Sequence, residues 1–247
     1  TPIHNNTFSF TNASPDFRRK LLDRSIFIAE DNFSSNWFSY YRALKQRNSM
    51  LKNNRISDIY AWNEMLVEEG TKLDNYRKDF FDKTIKEFHT LLEILKPYNV
   101  FDFFDVINIS FFQGWDNEKS LLEILEENKQ TDIRRKTTTG GPHKSDIKFL
   151  IKDIDAKQIL SRGEQKFFSI LWSCAQHEVL KKHYRIDATL IIDDIRSELD
   201  DRVFNLFKKL LEHNKNQVIF SCIDDCFSSK ISSNFKDFKK FHVEQLR

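Results

Sequence analysis

The chain has 247 residues, 40% of them hydrophobic and 31% charged, with a formal net charge of +2. That length and composition fit a soluble globular protein of one or two domains and exclude an overall basic field that would draw in nucleic acid, so any basic surface must be local. No run is long and apolar enough to cross a membrane, no signal peptide is visible, and the three cysteines (Cys174, Cys222, Cys226) lack paired metal or redox spacing and read as thiols of a reducing cytosol.

In chain order, Thr7 to Phe10 alternates polar and apolar residues and reads as the end of a sheet. Ser14-Pro15-Asp16 is a helix start, and 16–29 is expected to be helical with Phe17, Leu21 and Leu22 inward. From Phe33 to Leu95 the periodicity is helical. Trp37, Tyr41, Leu44 and Leu51 form one stripe, and Ile59, Trp62, Leu66, Leu73, Tyr76, Phe80, Phe88, Leu91 and Leu95 form a second. Asn53-Asn54 and Ser57-Asp58 separate them, and Lys96-Pro97-Tyr98-Asn99 ends the run. Two long antiparallel helices satisfy this pattern, which is too short and irregular for a coiled-coil arm. Trp37 and Tyr41 are assigned to the core, not to a base-stacking platform.

Val106, Ile107, Ile109 and Phe111 suggest a strand within 100–112. Trp115 then precedes a helix with Leu121, Leu122 and Leu125 inward. Gly140-Gly141-Pro142 is a turn, and Ile147, Phe149 and Ile151 alternate as a strand.

The chemistry concentrates in residues 160–222. Ser161-x-x-Glu164 is a capping box opening an amphipathic helix with Phe168, Leu171, Ala175 and Val179 inward. A helix start there points free N–H groups and a positive dipole end outward, which suits a phosphate, and Gly163 admits a bulky ligand. Thr189-Leu190-Ile191-Ile192 reads as a strand buried on both faces, ending in Asp193 and Asp194 at the sheet edge where α/β folds place ligands. Asp193 there suits Mg²⁺ through oxygen, and Asp194 suits orienting a water. A helix follows from Asp200 and Asp201 with Val203, Phe207 and Leu210 inward, and residues 217–222 read as the neighbouring strand.

Together these stretches resemble a family. Leu160-Ser161-Arg162-Gly163-Glu164-Gln165-Lys166, then Leu190-Ile191-Ile192-Asp193-Asp194, then Ser197-Glu198-Leu199-Asp200 resemble the signature motif, Walker B and D-loop of ABC-type ATPases, in the order and spacing of the RecF family. Gly141-Pro142-His143-Lys144-Ser145-Asp146, Leu44-Lys45-Gln46-Arg47-Asn48, and Pro15 with Arg18-Arg19 and Leu22-Asp23 resemble further segments of that family. The resemblance runs from about residue 10 to the end.

It implies an α/β fold: an ABC-type ATPase head of the P-loop NTPase class with a helical second lobe of antiparallel helices. The expected divisions are 1–32 (end of the first ATPase lobe and a lead-in helix), 33–98 (helical arm), 99–160 (return strands and helix) and 161–247 (signature helix, Walker B and the rest of the ATPase lobe). It implies ATP and Mg²⁺ as cofactors. Ser161, Arg162, Gly163, Glu164 and Gln165 would meet nucleotide held by a partner subunit, and Asp193 the metal. Asp194 would be catalytic, Ser197 and Asp200 would lie at a dimer interface, and Ser221 stands at the switch position. Arg18, Arg19, Lys45, Arg47, Arg135, Lys136, His143 and Lys144 are candidate DNA contacts.

The implied activity is an ATP-dependent DNA clamp in bacterial recombinational repair and replication. It would act at single-strand gaps with RecO and RecR, aid RecA loading and support the SOS response, as a nucleoid-associated cytoplasmic homodimer. No phosphate-loop motif occurs, and the five glycines could not build one. The chain therefore reads as a fragment without the Walker A region, inactive as an ATPase alone. A non-catalytic DNA- or protein-binding scaffold, or another SMC-like ATPase, are the alternatives.

Overall fold

A computed structural model of the chain describes residues 2–3, 10–98, 101, 105–193, 199–213, 217–221, 237 and 239–241. It divides into two compact units, one of 1–12, 86–106 and 156–247, the other of 13–85 and 107–155. The helical run at 33–98 thus shares its unit with the helix before it and the strands after it, while its last turns belong to the first unit.

The second unit opens with α1 (Pro15–Ala29), capped by Ser14, whose side chain accepts from Phe17 N, with Pro15 in the first turn where its missing N–H costs nothing. Next come α2 (Phe33–Lys52) and α3 (Ile59–Leu95), the break falling at Asn53–Asp58. Their pairing is antiparallel: Phe33 meets Tyr76 edge-on, Asn36 donates to Glu69 O, and Arg47 donates to Asn63. The buried line of α2 is Phe33, Asn36, Tyr40, Ala43, Leu44, Arg47 and Leu51. This corrects the expected stripe. Trp37 and Tyr41 flank that line and are only half-buried, because at about 100° per residue they point roughly 65° and 105° to one side of it.

Strand β2 (Ile107–Phe112) pairs antiparallel with β3 (Asp146–Ile151), which pairs with β4 (Ile154–Asp155). Between β2 and β3 lie α4 (Leu121–Glu127), opened by a capping box on Ser120, and α5 (Lys129–Arg135). Leu121, Ile124 and Leu125 are buried but Leu122 is 45% exposed, so the inward line of α4 runs through Ile124 instead. Gly114 and Gly141 have φ of +106° and +134° and approach so closely that Gly141 N donates to Gly114 O at 3.2 Å, an approach any side chain would block.

Two buried arginines hold this unit. Arg77 makes a two-pronged pair with Asp23 at 2.7 Å and donates to Pro142 O and Ser145 Oγ. Arg47 pairs with Asp132 at 2.7 Å and donates to Asn63 and Thr138. Each side chain is 0% exposed. Such groups are tolerated in an interior only when paired, and one left without its partner is costly.

In the first unit, β1 (Pro2–Ile3), β5 (Leu190–Asp193) and β6 (Val218–Ser221) form a parallel sheet with β5 central. The strand expected at 189–192 forms at Leu190–Asp193, and its expected neighbour at 217–222 forms at Val218–Ser221, with Cys222 outside the described residues. Yet β5 alternates: Leu190 and Ile192 are fully buried while Ile191 is 46% exposed. The expectation of burial on both faces is therefore corrected, since successive side chains of a strand take opposite faces and one face lies open here. A short helix α6 (Ala156–Ile159) leads into α7 (Arg162–Tyr184). From Gln165 to Leu180 every residue of α7 but Lys166 is buried, polar Ser169, Ser173, Gln176, His177 and Glu178 included, so this helix is wrapped on all sides and not amphipathic as its sequence suggests. Ser169 and Ser173 satisfy their hydroxyls on carbonyls one turn back. Helix α8 (Asp201–His213) buries Val203, Phe204, Leu206, Phe207, Leu210 and Leu211, a clean apolar stripe. The Thr7–Ser9 part of the first expected strand lies outside the described residues.

Neighbouring cations of α2 are expected to differ sharply. Arg47→Ala strands the buried Asp132 carboxylate and should cost about 3–5 kcal/mol in urea unfolding, whereas exposed Lys45→Ala should stay within about 0.5 kcal/mol of the parent.

Candidate nucleotide-binding site

The first turn of α7 is the best-formed site in the first unit. Ser161 caps it: its Oγ accepts from Glu164 N at 3.3 Å, and Glu164 Oε2 accepts from Ser161 N at 2.7 Å. A helix start leaves its first N–H groups without helical partners. The box satisfies those of Ser161 and Glu164, and Gln165 N already donates to Ser161 O. The amides of Arg162 and Gly163 remain, and among the described residues neither has an acceptor. Two adjacent N–H groups at a positive dipole end form an anion-binding pair.

Gly163 keeps the approach open. A Cβ there would meet only Asp200 Oδ2, at 3.8 Å, an ordinary contact. Asp200 itself caps α8, accepting from Val203 N at 2.8 Å. The structure thus brings Gly163 and Asp200 together, the two stretches being 37 positions apart in sequence. Gln165 does something other than expected. It is 8% exposed, its Nε2 donates to Leu160 O at 2.8 Å and Lys157 O at 3.2 Å, and its Oε1 accepts from Asn12. It is spent on fixing the segment ahead of the helix and is not free for a ligand.

At the C-terminal end of β5, Asp193 is exposed and its Oδ1 accepts from Ser221 Oγ on the paired position of β6. A carboxylate beside a hydroxyl is a hard oxygen set that fits Mg²⁺, which takes one or two protein oxygens and keeps waters for the rest. Among the described residues no cluster of three or more acidic, His or Cys ligands is found, and the carboxylate with its hydroxyl neighbour fits an ion that keeps waters. Asp194 and Ser197 lie outside the described residues, as do Glu198, Cys222 and Cys226.

Against this geometry stand the relatives. The chain is 30% identical over 254 residues to the DNA replication and repair protein RecF of Pseudomonas syringae pv. tomato, covering 99% of this chain and 66% of that one. It is 32% identical over 248 residues to the DNA replication and repair protein RecF of Hahella chejuensis, covering 97% and 65%. The chain belongs to the RecF family. It spans about two thirds of the length of these relatives (65–66%). A solved structure of the recombination mediator protein RecF-ATP in the RecFOR pathway matches with a TM-score of 0.74 over 91% of this chain and 62% of that one, at 22% identity, and so shares its fold. No protein-family model matches the chain. The α/β fold, with its parallel sheet and its long helices, is therefore that of the RecF family.

Several basic residues singled out for DNA are committed inside the protein. Arg47 is buried and paired with Asp132, so it cannot reach a phosphate. Arg18 makes a two-pronged pair with Asp146 at 2.8 Å, and Arg19 donates to Ser145 O at 2.6 Å. His143 is fixed as a neutral ring. Thr138 O can only accept, so Nε2 carries the proton at 3.0 Å, and Nδ1 accepts from Tyr40 Oη at 2.7 Å. These residues pin the 137–146 loop from four sides, a role their charge pattern does not reveal. Lys45, Arg135, Lys136 and Lys144 are exposed.

Two outcomes follow. Gly163→Ala meets no clash and improves helix propensity, so its unfolding free energy should equal the parent's or exceed it by up to about 1 kcal/mol. Burial pushes His143 down to about 4. Between pH 6.5 and 4 the unfolded chain binds a proton that the folded chain refuses, so this stability is complete above pH 6.5 and drains as pH falls toward 4. His143→Gln should shrink the loss of stability between pH 7 and 4.5 by about 2 kcal/mol, read from urea midpoints at the two pH values.

Proposed function

We propose that this chain is the signature-bearing part of a RecF-type, ATP-dependent DNA clamp of bacterial replication and recombinational repair. The observation that carries the reading is the open first turn of α7, whose two spare N–H groups sit at a glycine beside Asp200. The relatives named for DNA replication and repair, and the shared fold with a RecF-ATP structure, support it.

In this reading ATP lies between two subunits. The Arg162 and Gly163 amides of one subunit close over phosphate held by the other, so that nucleotide stabilises a homodimer, with Ser161 and Glu164 keeping the turn in shape. Asp193, its carboxylate bonded by Ser221 Oγ, would hold Mg²⁺, and the ion would supply charge neutralisation on the phosphates. Asp194 orients the attacking water. Ser197 and Asp200 line the subunit interface. The exposed cations Lys45, Arg135, Lys136 and Lys144 contact DNA backbone near gaps. Hydrolysis dissolves the dimer and releases the DNA, and RecO, RecR and RecA loading, together with the SOS response, lie downstream of the closed state.

The test uses the intact protein that carries this chain. Gly163→Ala should leave its fold and its binding of ATP as a single subunit unchanged, while ATP-dependent dimerisation, followed by sedimentation, falls at least about tenfold, because a methyl group displaces the phosphate from the amide pair. A variant that dimerises like the parent overturns the reading.

A further inference from the structure

Helix α2 carries an exposed face that neither the core nor the nucleotide site uses. Its 20 residues include Arg42, Lys45, Arg47 and Lys52 and no acidic residue. Arg47 is spent in the interior; Lys45 and Lys52 are without a carboxylate partner among the described residues. At about 100° per residue, Trp37, Phe38, Tyr41, Lys45 and Lys52 share a face about 100° wide. Phe38 is 64% exposed, far more than a ring kept for the core.

The rings are fixed from beneath. Trp37 Nε1 donates to Asp23 Oδ2 at 3.0 Å, and that carboxylate is the one gripped by Arg77. Tyr41 lies 4.3 Å from Trp37 and Phe38 packs edge-on against it at 5.2 Å, centroid to centroid. A platform held this way loses little conformational freedom when something stacks on it. Along the helix the rings give way to an open groove of about 540 Å³ lined by Tyr41, Lys45, Asn48 and Lys52.

We propose that this face binds single-stranded nucleic acid, with unpaired bases stacking at Phe38 and Trp37 and the following phosphates lying along Lys45 and Lys52. An anionic occupant suits this face, since the α2 residues that form it are cationic without acids, and it must also offer flat apolar surface. Unpaired bases supply both; duplex, whose bases are already stacked, supplies only charge. The run from Trp37 to Lys52 is about 22 Å, room for about four nucleotides. This inference deepens the DNA-binding part of the proposed function and rests on that reading, but needs neither ATP nor dimerisation.

The experiment is fluorescence anisotropy of the full chain with a labelled oligothymidylate of about 12 nucleotides and with a duplex of the same length. Phe38→Ala, at an exposed position, should weaken oligothymidylate binding about five- to tenfold and leave duplex binding and the unfolding midpoint unchanged. Lys45→Gln with Lys52→Gln should weaken both and reduce the single-strand salt slope by about 1.4. Unchanged oligothymidylate affinity in Phe38→Ala overturns the inference while leaving the clamp reading intact. So does failure of the parent to bind oligothymidylate, or binding of an acidic, phenylalanine-bearing peptide in its place, which would make the face a protein-docking surface. Phe38-dependent binding in a protein that never dimerises with ATP would sink the clamp and keep this inference.

Discussion

The buried pair of Arg77 with Asp23 is the constraint on which the second unit depends. One guanidinium joins α1 through Asp23, sits on α3, and reaches the 137–146 loop through Pro142 O and Ser145 Oγ. Arg47 repeats the arrangement from α2, through Asp132 and Thr138. A charge taken out of water and left without its partner is strongly destabilising, so these two clamps make the unit conditional: its helices and its loop come together correctly or at considerable cost. The directional donors of arginine also select one register, which apolar packing alone would specify less sharply.

The first unit is governed by a different economy. Its long helix is buried all round from Gln165 to Leu180 but for Lys166, and the hydroxyls of Ser169 and Ser173 are satisfied there by bonding back one turn. What stays open is its start. A helix buried from Gln165 to Leu180 and open at its first turn presents its unspent donors there, which is how a common structural element becomes a place to hold an anion.

Much of this was legible in the sequence. The helix starts at Ser14 and Ser161, the break near residues 53–58, the alternation of β3, and the neighbouring strands β5 and β6 follow from capping, turn chemistry and period. What the sequence concealed is which charges go inside. Lys45 and Arg47 sit two positions apart in one basic segment, yet one is exposed and the other fully buried, because burial of Arg47 requires Asp132, some 85 positions away. Periodicity cannot see such a partner. The same limit misplaced Trp37 and Tyr41, where aromatic character suggested a core that Phe33 and Tyr40 fill, and it made Gln165 look like a ligand contact when its amide is bonded on both ends. Ile191 was read as buried because an apolar run says nothing about whether both faces of a strand are covered.

The reciprocal bonding of Ser161 and Glu164 makes one helix turn answer to two side chains at once. Each satisfies the other's backbone donor, so losing either side chain frays the turn that a nucleotide needs. A substitute that keeps the acceptor, threonine or aspartate at position 161 or glutamine at position 164, preserves the turn, whereas alanine at either position opens it.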